Sequence, residues 1–79
     1  MPGDGTHIVG KDLEPGTYRT DGPQGGLITD CYWARLRSAS GEPGDIIANE
    51  STRGRTTVTI EPGDKAFTSS GCKTWKKVD

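Results

Sequence analysis

Glycine and proline punctuate this sequence so regularly that a long helix has little room to form. Glu14-Pro15-Gly16, Glu42-Pro43-Gly44 and Glu61-Pro62-Gly63 repeat one piece of turn chemistry along the chain. Proline presets φ for a turn and glycine accepts the φ > 0 position that follows, so Pro15-Gly16 predicts a type II turn. With 12 Gly, 5 Pro and only 29% apolar residues, the composition leans toward short strands joined by turns.

The runs between these breaks read as β. Thr6 to Val9 and Thr17 to Thr20 are short strands, and residues 21–29 form a loop that turns into strand only at its end, the segment expected to be most flexible. Asp30 to Ser38 is the strongest strand signal, with Cys31, Trp33, Arg35 and Arg37 on one face and Tyr32, Ala34 and Leu36 on the other. Aromatic residues on both faces predict a central strand. After a second turn at Ser40 to Asp45, Ile46 to Ala48 and Arg55 to Ile60 read as a hairpin joined by Asn49 to Gly54. Val58 and Ile60 share a core-facing side, while Thr57 and Thr59 face water. Lys65 to Thr68 and Cys72 to Val78 complete the set.

These 79 residues suit one thin-cored domain, 1–79, with residues 1–5 as a flexible lead-in. The fold class expected is all-β, a small antiparallel β-sandwich, with a small closed β-barrel as the alternative. A faint echo between Leu13 to Thr20 and Ile60 to Thr68 suggests equivalent strand-turn-strand corners that deliver Tyr18 and Phe67 into one core.

A core this small generally needs a staple. Cys31 and Cys72 form no CxxC pair and His7 is the single histidine, so Cys and His cannot assemble a four-ligand zinc site. A Cys31–Cys72 disulfide is the preferred reading and two buried free thiols the alternative. Closing their 41-residue separation would remove unfolded-state entropy worth about 4 kcal/mol. A persistent disulfide implies an oxidising compartment. Residues 1–20 hold neither a signal-peptide core nor a membrane span, so either a leader was removed or the chain is carried out on another structure.

Catalytic chemistry finds few candidates. His7, the single histidine, reads as a residue of a short strand at the N-terminal edge, and Cys31 or Cys72 could be a nucleophile only if held free and near a cation or base. Asp12, Glu14, Glu42, Asp45, Glu61 and Asp64 flank turns, where carboxylates cap and solvate backbone, and no calcium-loop spacing is present. No enzyme activity, metal or cofactor is expected. Asn49-Glu50-Ser51 matches a glycosylation sequon in an expected loop and is read as a chance match.

Trp33 and Trp75 each follow a cysteine closely, so a disulfide would bring both indoles together. One reading packs them over the bridge. The other leaves an indole exposed, rimmed by Arg35, Arg37, Lys73 and Lys76, as a candidate surface for a protein, peptide or glycan. On that reading Arg35→Ala should harm binding more than stability, whereas Cys72→Ser should cost several kcal/mol. Ten basic against eleven acidic residues give a net charge of −1, which argues against nucleic acid as a partner. Direct membrane insertion is not expected either.

The blocks Ile8 to Thr20, Cys31-Tyr32-Trp33-Ala34-Arg35-Leu36, Ile46-Ile47-Ala48-Asn49, Val58-Thr59-Ile60, Asp64-Lys65-Ala66-Phe67 and Ser70-Gly71-Cys72-Lys73-Thr74-Trp75 resemble, in order, a small domain found in predicted secreted proteins and lipoproteins of actinobacteria and in their phages. The resemblance covers nearly the whole chain and brings no activity with it. It implies an extracellular or cell-envelope address, the domain usually ending an exported chain. A chain that opens on its own Met1 departs from that pattern and leaves a free-standing phage product as a second possibility. The function expected is therefore a non-enzymatic, extracytoplasmic binding or accessory domain. The alternative is a virion structural protein, decorating a capsid or associated with a tail.

Overall fold

A computed structural model of the chain describes residues 1–38 and 43–78. Its elements in order are β1 (Gly5–Ile8), β2 (Gly16–Thr20), β3 (Cys31–Leu36), a 3-10 turn (Pro43–Asp45), β4 (Ile46–Thr52), β5 (Thr56–Ile60), β6 (Ala66–Ser70) and β7 (Lys76–Lys77). They form two antiparallel sheets, one of order β1-β6-β3-β4 and one of order β5-β2-β7. Neither sheet closes on itself, so the architecture is the sandwich and not the barrel. The expected turn at 40–45 lies partly outside the described residues, as does Glu42.

Five crossings from one sheet to the other, at β1–β2, β2–β3, β4–β5, β5–β6 and β6–β7, build the core. The connections β1 to β2 and β5 to β6 are the two echoed corners, and they place Tyr18 and Phe67 in the same cluster from opposite sheets. That cluster also holds Leu13, Cys31, Trp33, Val58, Ile60, Cys72 and Trp75. At the first corner the Tyr18 hydroxyl donates to Glu14 O at 2.7 Å, which satisfies the phenol as its ring is buried. The hydrogen-bonded turn there lies upstream, with Lys11 and Asp12 amides donating to Ile8 O. Gly16 instead opens β2 at φ 147°, so the expected type II turn at Pro15-Gly16 does not form.

β3 is a central strand between β6 and β4, buried on both faces. Cys31 and Trp33 face the main core, while Ala34 and Leu36 join Ala66, Ile8, Tyr32 and Ile46 in a second cluster on the opposite face. Asn49 is the register partner of Ala34 and donates to the Tyr32 hydroxyl, so the phenol ring reaches across the alanine.

The expected hairpin of 46–48 with 55–60 does not occur. β4 pairs with β3 and runs on to Thr52, whereas β5 pairs with β2 in the other sheet. Asn49 to Thr52 continue β4 as ladder partners of β3, so the glycosylation sequon sits in a strand. On β5 the alternation is as expected, with Val58 and Ile60 buried and Thr57 and Thr59 exposed.

Residues 1–5 are tied down, against the expectation of a flexible lead-in. The Trp75 amide donates to Met1 O at 2.8 Å, the Cys72 amide to Gly3 O at 3.3 Å, and the Ser69 hydroxyl to Gly3 O at 2.8 Å. The approach is close enough that a Cβ on Gly3 would lie 1.7 Å from Cys72 O. Only glycine fits there.

Candidate binding surface

The disulfide forms. Cys31 and Cys72 are bonded with a Cα–Cα distance of 4.6 Å, both fully buried, joining the start of β3 to the segment that leaves β6 for the second sheet. Both indoles take the core positions. Trp33 stacks on Phe67 with centroids 6.2 Å apart, and Trp75 meets Phe67 edge-on at 5.3 Å. Trp75 is 1% exposed and its indole N–H donates to the Ser69 hydroxyl at 2.9 Å. The exposed aromatic platform therefore does not exist. Burying a large apolar side chain contributes about 1.5–3 kcal/mol or more, and a chain with one Phe and two Trp cannot leave an indole outside.

The basic rim is dispersed as well. Arg35 points into the margin of the core and donates from Nε and Nη2 to the Asp64 carboxylate at 2.7 and 3.0 Å. That pairing raises the Arg35 pKa further above its ordinary value. Asp64 Oδ2 also accepts the Glu61 amide at 3.0 Å, so the ion pair fixes the Glu61–Asp64 turn between the sheets. Arg37 and Lys73 are exposed near opposite ends of β3, and Lys76 lies on β7 opposite Arg19. The six residues Trp33, Arg35, Arg37, Lys73, Trp75 and Lys76 thus do not make one surface.

A different surface is present, one the sequence reading passed over as a flexible loop. Gly25 and Ile28 exchange backbone hydrogen bonds at 3.2 and 3.1 Å, closing a two-residue turn at Gly26-Leu27. Gly26 has φ 65°, and among the described residues none other than glycine has positive φ, Leu27 included, which is the type II′ pattern of a tight hairpin. The turn carries Leu27 at its tip, 100% exposed, with Ile28 at 43%. Its base is braced, because the Gln24 amide donates to Gly71 O and the Lys73 amide to Gly22 O. Pro23 makes an antiparallel bridge to Cys72, so the disulfide anchors the same base. The Gly-Gly-Leu-Ile string was the available signal, since glycine at the first turn position specifies this hairpin.

Beside the tip runs an open groove of about 470 Å³ lined by Asp4, Gln24, Thr29, Asp30, Tyr32 and Ser70 along with the apolar pair. Asp4 is held below its ordinary pKa, first by the Gly71 amide that it accepts at 2.7 Å and second by Gln24. Asp30 faces Arg53 at 3.4 Å, an exposed contact. His7 lies on edge strand β1 with its Nε2 buried and unpartnered, so no carboxylate orients the ring through that atom. Among the described residues no group of three or more His, Cys, Asp and Glu could hold a metal ion. No helix among them is long and apolar enough to cross a membrane.

The family model described as the Rv1352-like extracellular domain matches residues 1–76. The chain belongs to this family. Two similar relatives are the uncharacterized proteins Mb1387 of Mycobacterium bovis and Rv1352 of Mycobacterium tuberculosis. Each is 34% identical over 87 aligned residues, which take in 99% of this chain and 71% of the relative. No solved structure matches the chain.

As an Rv1352-like domain the protein is extracellular or associated with the cell envelope, the kind of compartment in which its disulfide persists. The two findings are independent. One comes from similarity along the chain, and the other from two sulfurs bonded where the sheets meet.

Proposed function

We propose that this Rv1352-like domain is a non-enzymatic binding module that docks on another extracellular or envelope protein through the hairpin tip at Leu27 and Ile28 and the groove beside it. The observation that carries the proposal is a fully exposed leucine held on a braced tight turn. A lone exposed apolar residue is ordinary on a protein surface. This one stands beside a second, on a rigid base, at the mouth of a groove, which is how apolar anchors enter partner pockets with little loss of conformational entropy. The polar rim of Asp4, Gln24 and Asp30 supplies orientation around the apolar centre. A virion subunit could use the same tip, and the family's description as extracellular supports the envelope reading over that one.

The test is photo-crosslinking from position 27 in the host envelope, with the exposed position 65 as control. One discrete protein adduct specific to position 27, competed by excess unlabelled domain and lost in a Leu27→Asp competitor, is the expected outcome. Equal competition by wild type and Leu27→Asp would remove the tip from the site. Because Leu27 contacts nothing that folding requires, Leu27→Asp should alter stability by less than about 0.5 kcal/mol, so lost binding cannot be read as unfolding.

A further inference from the structure

The outer face of the three-stranded sheet carries a charge pattern that the fold does not use. Along β2 and β5 the alternation turns Tyr18, Thr20, Val58 and Ile60 inward, leaving Thr17, Arg19, Thr57 and Thr59 outward. Register sets Thr17 opposite Thr59, with hydroxyls 3.1 Å apart, and Arg19 opposite Thr57. On the other side of β2, Arg19 stands directly opposite Lys76.

Both cations are exposed, and among the described residues neither makes an ion pair or side-chain hydrogen bond. Two of the carboxylates bordering the sheet are engaged elsewhere, Asp21 with Arg55 and Glu14 with Lys77, each at 3.8 Å. Like charges directly opposed across strands are destabilising. The chain's net charge of −1 gives no general excess of positive charge that would force such a pair. Two cations, unpaired among the described residues, therefore stand opposite each other on a face that also carries the hydroxyls of Thr17, Thr57 and Thr59.

We propose that Arg19 and Lys76, with Thr17, Thr57 and Thr59, form a site for an acidic polysaccharide that bears carboxylates. The guanidinium matches a carboxylate with two parallel hydrogen bonds, and the ammonium adds a point charge beside it. The threonines donate and accept toward sugar hydroxyls. A bilayer surface fits less well, since Val78 is the one large apolar side chain exposed at this face among the described residues and a single valine offers little to insert. The site lies on the three-stranded sheet, away from the tip and groove, whose Tyr32 and Ser70 belong to the four-stranded sheet. A protein on the tip and a polysaccharide on this face could be held together.

The experiment is affinity electrophoresis of the chain in gels containing polygalacturonate, neutral dextran or neither, paired with sedimentation against phosphatidylglycerol vesicles. Retardation by polygalacturonate alone is expected, with Arg19→Gln/Lys76→Gln weakening it at least tenfold. That variant should melt at the same temperature as wild type or higher, because it relieves the like-charge pair. Lys11→Gln/Lys65→Gln removes the same net charge from exposed positions elsewhere and should bind as wild type does. Absence of retardation, equal loss in both double variants, or binding to the vesicles without binding to polygalacturonate would each overturn the proposal.

Discussion

Replacing Arg35 with methionine distinguishes a cation that serves a ligand from one that serves the fold. The Asp64 side chain is 3% exposed and that of Arg35 19%, so the carboxylate is the partner removed from water. Without the guanidinium, Asp64 keeps the Glu61 amide as its one remaining hydrogen-bond donor among the described residues. Breaking a buried ion pair by removing one partner costs about 3–5 kcal/mol. The partial exposure of the guanidinium places the expected loss at the low end, about 3 kcal/mol. Total stability for a domain of this size is about 4–12 kcal/mol, so the loss is a quarter or more of the whole. Methionine preserves most of the packing of the arginine stem, which isolates the charge. Urea unfolding of wild type, Arg35→Met, Asp64→Asn and the double variant at pH 7 closes a cycle, with an expected coupling of about 2 kcal/mol. A coupling below about 0.5 kcal/mol would show a solvated surface pair and return Arg35 to the list of groups free to bind a partner.

Two other perturbations follow from the geometry. Cys31→Ala/Cys72→Ala should lose about 4 kcal/mol in urea unfolding, from the loop of sequence separation 41 that the bond closes; a midpoint equal to that of wild type would sink the staple. Asp4 has a depressed pKa in the folded state, so its contribution is fully present above the ordinary value of 3.8 and lost as pH falls through its lower folded value. The Gly71 amide resonance should therefore shift with pH with its midpoint below 3.8, and Asp4→Asn should flatten that response; a midpoint at or above the ordinary value would refute the assigned hydrogen bond.

Much of the framework was legible because it depends on local rules. Alternation named the buried face of β5, aromatics on both faces the central place of β3, and the echo of Leu13 to Thr20 in Ile60 to Thr68 the shared core of Tyr18 and Phe67, while the cysteine count and the thin core together pointed to the disulfide. Pairing was less legible, because it depends on where strands end. Ile46 to Ala48 looked like a short strand with a loop after it, yet Asn49 to Thr52 extend the ladder with β3, and the ladder between β4 and β3 shifts register between Arg35 and Leu36. Chain order then favoured pairing β4 with β5, whereas the apolar face of β5 is satisfied only across the sandwich, beside Tyr18 on β2.

The site was misplaced for a related reason. Trp and Arg residues dominate interfaces, but the same properties make them valuable inside a protein this poor in large apolar side chains. Trp33 and Trp75 flank Phe67, and Arg35 closes the margin beside them, so the residues that looked like a binding surface are the core and its seal. The residues proposed for recognition are then those whose placement folding does not reward: Leu27 on its turn, and Arg19 facing Lys76. An exposed leucine gains nothing by remaining in water, and two cations set opposite each other cost stability. Both features lie on elements otherwise well braced, the first by the Cys72 segment and the second by the β2 ladder, so each presents its unrewarded groups in a fixed geometry. That combination of rigid support and local disadvantage separates these two surfaces from the solvated threonines and turn acids around them.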